Sequence, residues 1–214
     1  SSKSPTPDQA FKALKKPWRK LREEEGNRKA PAAERLAMQR ELFFAPLLEA
    51  LGYAYAPKAE LVVLGEETYQ VPLLAQVNTT AGDPLLWVVE CFNPEADSTD
   101  PLDLEIHGAQ ITDPSLGLVL PGETLEDVIS DRVLGQTTPP RWVLAVSRDQ
   151  VVLIDRQKWA ASRLLRFEFN SLLGENNPDA QLAAATLLHR EHTCPSGGGT
   201  PKLDEFDENS HKHA

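Results

Sequence analysis

Cysteine is almost missing from this chain: Cys91 and Cys194 are the only two among 214 residues. One sits in a run of strand character and the other in a late loop, too few for a disulfide framework, so they fit a reducing compartment and give redox chemistry no foothold. Long apolar runs are missing as well. No stretch approaches the ~18 residues that a membrane helix needs, which excludes a spanning segment. The opening "SSKSPTPDQAF" has neither a Met nor the charged and apolar regions of a secretory signal. The start therefore reads as a fragment boundary and the cytoplasm as the default location. An overall excess of positive charge is absent too: the formal net charge is −10, which excludes a uniformly basic nucleic-acid domain.

Two suggestive clusters lack what their chemistry needs. "HREHTC" gathers His189, His192 and Cys194, with His211 and His213 in the tail, but zinc wants a second ligand pair at regular spacing and none is present. Helix termination followed by linker explains the stretch, and no metal site is read from it. "PSGGGTP" (195–201) follows a helical pattern and precedes no apolar run, so it is a spacer and not a phosphate-cradling loop.

What is present is a chain of 41% hydrophobic content, enough for one cored domain plus appendages, with its charge unevenly spread. Residues 1–30 hold nine Lys and Arg against four acids, a net of +5, so the remainder carries −15. Within them Phe11, Leu14, Trp18 and Leu21 recur at helical spacing, with Asp8 placed to cap and Pro17 interrupting the middle. This predicts a kinked, basic, amphipathic helical arm over 1–31. Its Lys12, Lys15, Lys16, Arg19, Lys20 and Arg22 are the candidate phosphate contacts. The plainer alternative is that the apolar stripe docks on its own domain.

Beyond the arm, Leu36, Arg40, Phe43, Leu47 and Leu51 form one stripe, and Gly52 follows as a cap, which predicts a helix over 32–51. Three runs, 59–65, 68–78 and 84–92, then suggest a meander, the third apolar enough to be buried on both faces. Residues 93–122 are a long Pro-, Asp- and Gly-marked connection of the functional or mobile kind. A helix over 123–135, two strands within 141–159, an edge strand over 163–169 and a helix over 177–191 follow. The domain spans 32–192. Residues 193–214 read as a linker toward a missing C-terminal part. Trp87 and Trp142 lie in apolar strands and belong to the core.

The stretch "LLWVVECFNP" (85–94) places Glu90 at the end of the third run. Together with "LLEALGY" (47–53) and "WVLAVSRDQVVLIDR" (142–156), this order resembles the PD-(D/E)xK nuclease fold, in particular the N-terminal domains of type I restriction subunits and fused restriction–modification enzymes. The resemblance implies an α/β domain of restriction-endonuclease-like fold, a mixed sheet flanked by helices. It implies a parent chain that is a restriction–modification or phage-defence N6-adenine DNA methyltransferase. That enzyme's S-adenosylmethionine is expected in the missing C-terminal part, since "TTPPRW" lacks the Asn or Asp of the methyltransferase motif. DNA, and other restriction or defence subunits, are the implied partners.

Such a nuclease holds Mg²⁺ with an Asp and the Glu of E-x-K, and its Lys activates water. Here Glu90 occupies the Glu position, Phe92 stands where the Lys belongs, and the preceding strand offers Pro72 in place of an Asp. Glu90 thus reads as a remnant of the catalytic pattern, its plainest role a strand-end carboxylate in water. Mg²⁺ enters only if Glu66, Glu67, Asp97 or Lys58 fills the vacancy. Glu41 and Glu49 read as solvated helix-face charges. A third reading, of another class, is a protein-interaction module with an acidic face.

Overall fold

Proline decides how the chain begins. In the computed structural model, which describes residues 4–27 and 29–212, α1 (Pro7–Lys12) is capped by Thr6 and not by the expected Asp8. The Gln9 N–H donates to the Thr6 hydroxyl and the Thr6 N–H donates to the Gln9 side chain, while Asp8 pairs with Lys12 one turn on. Pro17 has no N–H to give the carbonyl four residues back. The helix accordingly breaks at Ala13 and Leu14 and restarts as α2 (Lys15–Asn27), with Pro17 in a first turn where an N–H has no helical partner to lose. Phe11, Leu14, Trp18 and Leu21 are all buried in the same core as the sheet. The separate basic arm over 1–31 is thereby corrected: 7–27 are a layer of the domain, because the apolar stripe is driven out of water against it.

α3 (Ala32–Gln39) and α4 (Ala45–Ala50) are joined without a break by a π-helical turn, Arg40–Phe44, which realises the helix expected over 32–51. Pro46 cannot donate to Leu42, and the widened turn, in which the Ala45 N–H reaches back to the Arg40 carbonyl, accommodates that gap. Gly52, at φ +81°, then lets the Tyr53 N–H bond the Leu48 carbonyl and ends the helix.

β1 (Lys58–Leu64), β2 (Glu67–Asn78) and β3 (Pro84–Glu90) form the expected antiparallel meander. α5 (Leu125–Asp127) runs on as a π-helical turn over Val128–Val133, and β4 (Trp142–Val146) follows, parallel to β3. β5 (Gln150–Asp155) is followed by the short α6 (Arg156–Trp159) and the edge strand β6 (Leu164–Glu168), both strands antiparallel to their neighbours. The result is a six-stranded mixed sheet in chain order, flanked by helices. β3 is central and two-faced. Leu86 and Val88 pack with α1 to α4, while Trp87 and Val89 pack with Leu125, Val128 and Ile129. Trp142 joins the first cluster, so both strand tryptophans are core residues as expected.

The connection over 93–122, expected to be functional or mobile, is pinned to the domain. Leu102 and Leu104 enter the second core, and the Gln70 side chain donates to the carbonyls of Asp113 and Gly117. α7 (Pro178–Leu188), capped by Asn177, returns to the first core and is followed by α8 (Arg190–Thr193). The expected linker over 193–214 is corrected as well: only its Gly-rich part is a spacer, and α9 (Lys202–Lys212) docks on the domain through ion pairs. Among the described residues no helix is long and apolar enough to cross a membrane.

Candidate functional site

The carboxylate at the end of β3 is enclosed. Glu90 has no exposed surface, and the Arg40 guanidinium grips it with both arms: Nε donates to Oε2 at 2.6 Å and Nη2 to Oε1 at 2.7 Å. Gln110 Nε2 adds bonds to Oε1 at 3.0 Å and to the Glu90 carbonyl at 3.1 Å. The hydrogen bond to Glu90 outweighs burial and holds the Arg40 pKa above its ordinary value. The reading of Glu90 as a strand end in water is thus corrected. The Arg40 guanidinium supplies the counter-charge that a buried carboxylate needs, and Phe92, two residues on, is fully buried. Glu41 and Glu49 are exposed, as expected. Burial raises the pKa values of Tyr55, close by, and of Cys91.

A second buried charge network lies beside the first, and no part of it was expected. Arg148, between β4 and β5, is 2% exposed and donates Nη1 to Glu25 Oε2 of α2 at 2.9 Å. Its Nη2 bonds the carbonyls of Ala96 and Asp97, and Gln39 Nε2 bridges Glu25 Oε1 and the Asn93 carbonyl at 2.7 and 2.9 Å. The networks close the carboxyl ends of β3 and β4, where open α/β sheets commonly bind ligands. They engage both oxygens of Glu90 and of Glu25, so neither carboxylate is free to act as base or ligand, while Gln39 Oε1 and Arg148 Nε stay buried without a hydrogen-bond partner.

The six candidate phosphate contacts divide five to one. Helical spacing sets Lys12, Lys15, Lys16, Arg19 and Lys20 along one groove of about 840 Å³, completed by Pro17, Glu23, Glu41 and Leu42. Lys12 is held by Asp8 at 3.0 Å, but Lys15, Lys16, Arg19 and Lys20 have no ion-pair partner among the described residues. Arg22 is the exception: it turns away, over the Trp18 ring at 5.7 Å and onto Asp149 at 2.9 Å. Trp18 itself is buried and is no stacking platform. The groove carries five cations against two acids on the surface of an acidic protein. It can bind a polyanion without reading its sequence.

Among the described residues no three His, Cys, Asp or Glu side chains are grouped to hold a metal. The His189 and His192 rings lie 5.8 Å apart and Cys194 is buried, while His213 and the side chain of His211 lie outside the described residues. Burial, with His192 adding, lowers the His189 pKa.

Arg40 and Arg148 are the residues that sequence reasoning missed. A signal existed for the first: an arginine on the apolar stripe of 32–51 must bring a counter-charge with it. No local signal marks Arg148, whose partner is 123 residues away. No family model matches this chain, and neither a curated protein nor a solved structure is significantly similar to it.

Proposed function

We propose that this chain is a DNA-engaging, nuclease-like module that does not cut, the N-terminal part of a restriction–modification or phage-defence DNA methyltransferase. The observation that carries the DNA contact is the groove of Lys15, Lys16, Arg19 and Lys20, unpaired cations on a protein of net charge −10. Long-range repulsion works against DNA binding everywhere else on such a surface, so affinity has to come from a local excess of positive charge. The order of elements supports the nuclease likeness: a helix, three antiparallel strands, a helix, a strand parallel to the third, and a carboxylate at the end of the third strand.

Arg40 argues for silence. A carboxylate already neutralised by a bidentate guanidinium has little left to offer Mg²⁺, and the active-nuclease alternative would need Arg40 to leave a buried site. The protein-interaction alternative keeps support from the acidic remainder of the chain. The test is fluorescence anisotropy with a labelled DNA duplex. Lys15→Gln, Lys16→Gln, Arg19→Gln and Lys20→Gln combined should weaken binding by roughly two orders of magnitude at low salt, the scale of several phosphates left without a cation. Glu90→Gln should leave binding unchanged. An unaffected affinity in the groove variant, or Mn²⁺-dependent nicking by the unaltered chain, would overturn the proposal.

A further inference from the structure

α9 lies at the surface of the domain. None of its described residues is fully buried, Phe206 is half exposed, and a Gly-rich tether over 195–201 leads into it. Leu203 packs against the first core, and charge supplies the rest of the hold. Asp204 takes a bidentate grip from Arg141, Oδ2 from Nη1 at 2.5 Å and Oδ1 from Nη2 at 2.6 Å, and Asp207, three residues on and on the same helix face, pairs with Lys158.

The surface beneath is more cationic than α9 satisfies. The Arg156 N–H bonds the Arg141 carbonyl, so the two residues are backbone neighbours across the strand ends, and Lys158 and Arg163 both line a cavity of about 420 Å³. Arg156 and Arg163 are exposed and have no ion-pair partner among the described residues. The cavity floor is apolar, made by Leu153, Leu164 and Leu165, and Leu203 of α9 closes it. Arg141 also lies 4.4 Å above the Trp142 ring and 3.3 Å from Asp155, so it remains oriented with or without α9. Against this surface α9 presents Asp204 and Asp207, while Glu205 pairs with Lys202 of the same helix and Glu208 is exposed. A short acidic helix is thus seated on a preoriented arginine and a lysine, with spacing and charge that a phosphate backbone could replace.

We infer that α9 is an acidic strap laid over a second nucleic-acid contact surface, formed by Arg141, Arg156, Lys158 and Arg163, and that it competes with DNA for that surface. The inference rests on the DNA-binding reading above for its class of ligand, but it concerns a different surface from the groove. With the strap seated, only the groove is open. With the strap released, the two surfaces engage together and affinity rises.

The test uses the full chain and a labelled duplex of about 20 bp at about 0.1 M salt, where charges beyond ~10 Å are screened. Asp204→Asn with Asp207→Asn frees the strap, and Arg141 keeps Asp155, so the fold survives; circular dichroism verifies it. Glu205→Gln with Glu208→Gln removes the same net charge from the strap without touching Arg141 or Lys158. The Asp pair should tighten binding on the order of tenfold, the scale of a few additional phosphates neutralised, and the Glu pair should change it little. Adding Arg156→Gln and Arg163→Gln should cancel the gain. Equal effects of the two pairs, or no effect of the Asp pair, would overturn the inference. Repeating the Asp pair in the groove variant separates it from the proposed function: a gain that persists there supports the strap even where the groove proves inert. Polyglutamate binding the freed surface as tightly as DNA does would overturn the nucleic-acid assignment in favour of an acidic protein.

Discussion

α2 carries charge on two faces, and the two faces follow different rules. Toward the sheet, Glu25 is buried and fully engaged by Arg148 and Gln39; away from it, Lys16, Arg19 and Lys20 stand in water without a partner among the described residues. A buried charge is tolerated only with its counter-charge in place, so removing one member strands the other. An exposed charge is solvated whatever its neighbours do and contributes little to stability. One helix therefore holds both a structural clamp and a surface free to bind.

The comparison breaks most visibly at Arg148. Arg148→Ala should cost about 3–5 kcal/mol in urea unfolding by leaving Glu25 uncompensated. Replacing Glu25 and Arg148 together, by Leu and Met, should recover most of that loss; a double variant as unstable as the single would mean that the ion pair is not what clamps α2. Next in size, Trp18→Ala should cost about 3–5 kcal/mol by opening a cavity in the core, with no specific effect on the groove's salt dependence. The four-fold groove variant should show the reverse pattern. Its stability should change by no more than about 0.5 kcal/mol for each exposed residue. The slope of log affinity against log salt should become shallower by roughly 0.9 for each phosphate that the groove no longer neutralises.

The smallest expected effect is one of pH. Hydrogen bonding from Arg141, with the charges of Arg141 and Lys158 adding and burial opposing, holds the Asp204 carboxyl below the usual carboxylate range. A lowered folded pKa means that the pair's contribution is complete above about 3.9, the unfolded value, and is lost as pH falls through the lower folded one. Limited proteolysis of the 195–201 tether should thus be flat near neutrality and rise only in strong acid, using an acid-stable protease. A rise beginning near neutral pH would show that something other than Asp204 seats the strap.

Periodicity made most of the fold legible. Apolar runs rich in Val, Leu and Trp, bounded by turn residues, located β2, β3, β4 and β5, and the stripe through Leu36, Phe43 and Leu47 located the long helix, because burial leaves its pattern in the sequence. The candidate cations were picked out by the charge excess of residues 1–30, and that five of the six line one groove was not legible there. The state of Glu90 was not legible either. Its neighbours in sequence are apolar on one side and polar on the other, and only the approach of Arg40 across 50 residues and of Gln110 across 20 decides whether it meets water. The docking of α9 escaped for a related reason, since a tail of mixed charge behind three glycines reads as solvated until Arg141 and Lys158 face it.

The tie between Glu25 and Arg148 also sets a timetable. It spans 123 residues, so α2 leaves the ribosome long before its partner exists. At the usual 5–20 residues per second the delay is roughly 6–25 s. Throughout that interval the helices bearing Phe11, Leu14, Trp18 and Leu21 have only an incomplete core to cover, lacking β5 and the later helices, and a nascent chain in that condition is open to misassembly and to capture by chaperones. Synonymous codons that slow translation between 27 and 148 should lower the soluble yield of this chain, and codons that speed it should raise the yield.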